Sequence, residues 1–184
     1  MEIHPDFDLP WCKALLHAPD TTITETPTHP AAATPARDGR VSNSMFVETL
    51  YTPTAIRAQL NFTRPAAEPD ALPAHTESCY LLSVGAGLDG LTGRAHGGFS
   101  ALVLDQITGT LASRVSASEA PATATMTVDY RAPVDTPGVL LCRAWAVERS
   151  GRKTWVRGRL QDGRGRVLAE ARALFVSPRA GGRL

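Results

Sequence analysis

Hydrophobic and polar positions change their rhythm along this 184-residue chain, and the change falls near residue 75. Downstream of it, Leu102, Val103, Leu104, Ile107 and Leu111 spread around the whole helical wheel of residues 97–112. A helix with that distribution expects cover on most of its sides. The flanking segments carry strand patterns instead. Residues 79–84 form a short apolar run closed by Gly85 and Gly87. Ala122, Ala124, Met126, Val128 and Tyr130 alternate with Thr123, Thr125, Thr127 and Asp129, a period of two. Residues 139–147 are again apolar; Ser150-Gly151 turns them into 154–160, and Asp162-Gly163-Arg164-Gly165 turns those into 167–176. Both glycine turns are hairpin signals. The pattern predicts a strand, a long helix and four strands in a meander, an α+β fold whose one antiparallel sheet wraps the helix.

Residues 1–75 have a different texture. Asp8-Leu9-Pro10 predicts a short helix start, with Trp11, Leu15 and Leu16 on one face. Residues 21–43 are rich in Thr, Pro and Ala and predict a loop or extended arm. Ile56, Ala58, Leu60 and Phe62 then alternate with Arg57, Gln59, Asn61 and Thr63, which predicts a half-buried strand, before 64–73 returns to loop. Too few large apolar residues are present for a separate core, so 1–75 is expected to be an extension that packs on a domain formed by 76–184.

Composition narrows the partners. A net charge of +1 gives no reason to expect nucleic acid or a membrane surface. No eighteen apolar residues run together, and the start lacks the basic and apolar regions of a signal peptide. Cys12, Cys79 and Cys142 are odd in number and widely spaced, which predicts reduced thiols in the cytosol and no metal site. There is no Gly-x-Ser-x-Gly elbow, dinucleotide fingerprint or phosphate loop, so no cofactor is expected. His4, His17, His29 and His75 lie in the extension and are expected to be exposed or locally bonded.

Candidate chemistry gathers on the long helix. His96-Gly97-Gly98 opens it, where backbone N–H groups are free and the helix dipole is positive. Without a Cβ, these glycines allow a carbonyl oxygen to approach closely. Asp105 follows about two turns later, and a carboxylate there is costly unless paired or put to use. A tight turn with a structural aspartate is the alternative reading. Arg149, Arg152 and Lys153 cluster at one hairpin, either as a solvated tip or as a contact for phosphates or an acidic carrier protein. Trp145, Trp155, Arg157 and Arg159 are expected on the sheet face away from the helix, marking a subunit contact or cover by the extension.

His96-Gly97-Gly98 with Asp105, then Ala124 through Val134, Gly151-Arg152-Lys153 and Val167 through Phe175, resembles the PaaI-type acyl-CoA thioesterases of the hotdog superfamily. The likeness spans about residues 78–176, and Leu9-Pro10-Trp11-Cys12 resembles the arm of fungal members. The resemblance implies a hotdog fold and hydrolysis of an acyl thioester, carried on coenzyme A or an acyl carrier protein, to an acid and a thiol. It implies that the Gly97 N–H polarises the thioester carbonyl and that Asp105 acts as general base or nucleophile. His96 and Gly98 would shape the oxyanion turn, and Thr123 would help hold the water. Many relatives carry an Asn donor where this chain has Asp89, and an ionised Asp accepts but cannot donate. A hotdog dehydratase, hydratase or other lyase in a biosynthetic pathway and a non-catalytic acyl-binding module remain alternatives. The extension is expected to close one end of the acyl pocket. Gly97 and Asp105 are eight residues apart, about 12 Å along one helix. That span favours sites shared across a homodimer, or a dimer of dimers, with each carbonyl between two subunits.

Overall fold

The computed structural model describes residues 3–25, 44–72, 76–118 and 121–179. Helix α1 (Pro10–Leu16) and strand β1 (Thr22–Glu25) precede a π-helical turn at Met45–Leu50 and strand β2 (Ile56–Pro65). Strand β3 (Thr76–Val84) leads through a small hairpin, β4 (Asp89–Leu91) and β5 (Arg94–Ala95), into helix α2 (Gly97–Ser116). Strands β6 (Ala122–Tyr130), β7 (Gly138–Ser150), β8 (Lys153–Gln161) and β9 (Val167–Val176) complete the chain's order. Seven strands form one antiparallel sheet in the order β1-β2-β3-β7-β8-β9-β6. The sheet curls around α2, as the apolar wheel of that helix requires.

Val103, Leu104, Ile107 and Leu111 of α2 are fully buried against Tyr80, Leu82, Cys142, Val156, Leu160 and Phe175. Cover is incomplete on one stripe, where Leu102, Asp105, Gln106 and Gly109 are only half-buried. Their spacing is that of a single helix face. At Gly158 of β8 a Cβ would stand 3.0 Å from Leu104 Cδ2 and from Thr108 Cγ2.

One expectation of strand order needs correction. The meander holds only for β7, β8 and β9; β6 lies at the far edge of the sheet, paired with β9. Periodicity sets strand character, while the link sets position. Residues 131–137 are pinned across the opening of the sheet: the Arg131 and Ala132 N–H groups donate to Leu168 O, and Ala95 N–H donates to Val134 O. Thr22–Glu25, within the expected loop or extended arm, pairs with β2 as an edge strand. The rest of the expected arm, 26–43, lies outside the described residues.

The extension works mainly on the outer face of the sheet. A β-bulge between Ile56 and Ala58 shifts the register of β2. Ile56 thereby joins the helix-side core, while Ala58, Leu60 and Phe62 face outward with Cys79 and Leu81. Phe7, Cys12 and Leu16 cover that outward patch. Residues 3–25 therefore pack on the outer face of the sheet, whereas Phe46, Leu50, Tyr51, Ala55, Ile56 and Leu72 of the extension reach the helix-side core. All three cysteines are free and buried. Burial pushes the Cys12 thiol up to about 12 and raises Cys79 and Cys142 as well, so none is a ready nucleophile.

Beside this apolar patch runs a ladder of ion pairs. Glu77, 1% exposed, receives Arg64 at 2.6 Å and Arg143 at 2.8 Å. Arg143 also meets Glu68, which meets Arg159, which meets Glu170. Removing one member of a buried pair leaves its partner's charge uncompensated, at about 3–5 kcal/mol. Glu77→Ala is expected to lose stability of that order in urea unfolding, well beyond the loss for the exposed pair partner Asp129→Ala.

Candidate active site

His96 sits at the N-cap of α2 and its Nδ1 accepts the Gly98 N–H at 2.9 Å. The turn therefore consumes one of the two glycine donors that the sequence left free. The Gly97 N–H has no partner among the described residues. It opens into a cleft of about 320 Å³ lined by Ala95, Gly97, Ser100, Tyr130, Arg131 and the 132–134 segment. Tyr130 is 58% exposed and forms an aromatic wall; a Cβ on Gly97 would stand 3.4 Å from its ring. The cleft thus joins a free donor, the positive end of a 20-residue helix and an apolar wall.

Asp105 lies on the half-buried stripe of α2, not in the deep core that the sequence suggested. Its Oδ1 accepts the Thr123 hydroxyl at 2.9 Å. Strict alternation along β6 would point Thr123 away from the face that carries Met126 and Val128. A bulge between Thr123 and Thr125 sets Thr123 opposite Phe175, on the helix side. Bulges commonly re-aim a side chain next to a reactive group. Here the bulge builds the contact between Thr123 and the only carboxylate of α2.

Other expected site residues are placed elsewhere. Asp89 Oδ2 accepts the Gly93 N–H at 2.8 Å, and Oδ1 accepts the Thr136 hydroxyl. Its carboxylate ties the β4–β5 hairpin to the 131–137 link, the two segments that roof the cleft. Arg149 donates to Val115 O at the C-terminal end of α2, and Arg152 donates to Ser177 O. Lys153 is exposed beside them. Within one chain this cluster lies at the opposite end of α2 from Gly97, about 30 Å for twenty residues. The Trp145 indole donates to Asp70 at 2.8 Å, so its cover is the extension. Trp155 carries Arg172 over its ring. A second cavity of about 410 Å³ lies beside Trp145 on the outer face, and its Arg157 and Arg131 are already paired with Asp70 and Glu170. His4 caps its own turn through Asp6 N–H; His29 and His75 lie outside the described residues.

Sequence reasoning missed Ser100 and Tyr130. Both adjoin quoted motifs, but their place in one cleft follows from the 131–137 link, which no local pattern reveals. No cluster of His, Cys, Asp or Glu suited to a metal ion occurs among the described residues.

A helix wrapped by one antiparallel sheet, with a glycine N-terminus and a carboxylate in mid-helix, defines a hotdog-fold protein. Residues 92–169 match the family model described as Thioesterase superfamily, a span that includes Gly97, Asp105 and Thr123 but not Asp89. A solved thioesterase superfamily protein is 26% identical over 54% of this chain and 51% of its own, with a TM-score of 0.51. This chain therefore spans about half the length of that protein. AziG of S. sahachiroi is 23% identical over 55% of this chain and 82% of its own, with a TM-score of 0.51. A Streptococcus mutans protein bound to acetyl CoA is 19% identical over 55% and 80%, again at 0.51. The last two establish likeness of fold alone. No curated protein matches the sequence.

The two hydrogen bonds at Asp89 yield a direct expectation. Hydrogen bonds to a charged group contribute about 1.5–3 kcal/mol each. Asp89→Ala should lose about that much in urea unfolding, and faster amide exchange at Gly93 should accompany the loss.

Proposed function

We propose that this chain is a PaaI-type thioesterase that hydrolyses an acyl thioester of coenzyme A or an acyl carrier protein in the cytosol. The observation that carries the reading is one helix bearing both an unpartnered Gly97 N–H at a cleft and a half-buried Asp105 oriented by Thr123. The match to the thioesterase superfamily model and the acetyl CoA bound to the Streptococcus mutans protein support it.

These groups supply an oxyanion donor and a base. The thioester oxygen accepts the Gly97 N–H, which draws charge from the carbonyl carbon. The Asp105 carboxylate takes a proton from water, whose oxygen adds to that carbon. Collapse of the tetrahedral intermediate breaks the carbon–sulfur bond. The sulfur leaves with the proton from Asp105, giving the carboxylic acid and the thiol.

Two copies share each site in this reading. Gly97 and Asp105 are separated by about 12 Å of helix, too far to bracket one carbonyl directly. Strand β6 ends the sheet with a mostly exposed nine-residue edge, and the half-buried stripe of α2 lies beside its Thr123. A two-fold homodimer through this region sets Gly97 of one copy toward Asp105 of the other. Arg149, Arg152 and Lys153 meet a long, phosphate-bearing carrier across such an interface in this reading and take no part in the bond-breaking step.

A panel of acyl-CoA substrates with a thiol-detecting dye tests the activity. Asp105→Asn should fold and lose at least about 10²-fold in kcat; turnover near that of the wild type removes Asp105 from the mechanism. Asp105→Ala and Gly97→Val should each be inactive, yet unfolding and refolding them together should return about a quarter of wild-type activity. Mixed dimers that form by mass but stay inactive overturn the shared site.

A further inference from the structure

We infer that Ser100 supplies the second hydrogen bond to the substrate's carbonyl oxygen, an assignment that rests on the thioesterase reading. Ser100 lines the same cleft as Gly97 and is 3% exposed. Every other hydroxyl on α2 gives its hydrogen to a backbone carbonyl: Thr108 to Leu104 O, Thr110 to Gln106 O, Ser113 to Ser118 O and Ser116 to Ala112 O. Ser100 makes no such bond among the described residues, although a carbonyl one turn back is within a serine's usual reach. Among the described residues only Ser177 Oγ is sealed in the interior without a partner, so the Ser100 hydroxyl stays open to a ligand in the cleft.

The position suits an oxyanion donor. Ser100 stands three residues after Gly97, so the two share a helix face. Side chains on a helix lean toward its N-terminus, which carries the Ser100 hydroxyl toward the turn that holds the Gly97 N–H. The neighbouring donors are otherwise spent, with Gly98 N–H on His96 Nδ1 and Phe99 N–H on His96 O. Asp89 cannot contribute, because both its oxygens accept within the chain. A tetrahedral oxyanion held by Gly97 alone would lack the paired donors typical of acyl transfer. The Ser100 hydroxyl completes that pair. It keeps its proton throughout, and its bond to oxygen strengthens as negative charge develops there.

Ser100→Ala is the test, measured on the full chain with whichever acyl-CoA the wild type turns over. Loss of one oxyanion donor lowers kcat by about 10²–10³-fold. The Michaelis constant and the thermal midpoint should stay near wild type, since no bond within the chain is lost. Retention of kcat within about twofold overturns the assignment and leaves the hydrolase reading standing. A rate loss accompanied by a large drop in thermal midpoint also overturns it, marking Ser100 as a packing residue. Wild-type protein that releases no thiol from any thioester removes the hydrolase reading, and this assignment with it.

Discussion

The closeness of sheet to helix at Gly158 is the constraint from which the architecture follows. A side chain there would meet Leu104 and Thr108 within 3.0 Å, in the middle of the buried face of α2. Protein interiors pack too densely to absorb such a methyl without movement of the backbone or neighbouring side chains. With no Cβ in the way, β8 packs directly against α2 at this point. Strand β9, and β6 beyond it, continue the sheet to the side of α2 that carries Asp105. The contact between Thr123 and Asp105 therefore depends on a glycine that belongs to neither site element.

The two sheet faces solve different problems. The helix side is apolar and closed, so α2 supplies its own cover for most of the core. Among the described residues the outer side has no helix of comparable length. The extension covers one part with Phe7, Cys12 and Leu16, and charge covers the rest through Glu77, Arg143, Glu68 and Arg159. Glu77 is the deepest member, and its two arginines satisfy a carboxylate that burial alone would make costly. Residues 3–25 thus add apolar cover to the outer face of the sheet.

Much of the fold was legible in the sequence because periodicity reports burial. The wheel of Val103, Leu104, Ile107 and Leu111 announced an enclosed helix, and the Gly151 and Gly163–Gly165 turns announced the β7–β8–β9 hairpins. What stayed hidden depends on single residues out of phase. The bulge at Thr123–Thr125 reverses the facing of Thr123, and the one at Ile56–Ala58 moves β2's apolar residues to the outer face. Alternation in the sequence reads straight through both. Likewise, Gly97 and Gly98 look equivalent in sequence, whereas His96 Nδ1 occupies only Gly98. The place of β6 beyond β9 was invisible because it rests on hydrogen bonds from the 131–137 link to Leu168 and Ala95.

Strand β6 has one more consequence, for how the protein behaves in crowded solution. Its nine residues carry a single charge, at Asp129, and among the described residues no strand pairs with its outer edge. An edge of that length with so little charge is a template for further strands. Antiparallel pairing of one β6 with another uses both templates at once, and the opposite margin of the sheet is the short β1, a different surface. Growth through β6 is therefore self-limiting: the first addition is also the last, and a surface prone to open-ended stacking becomes a closed one.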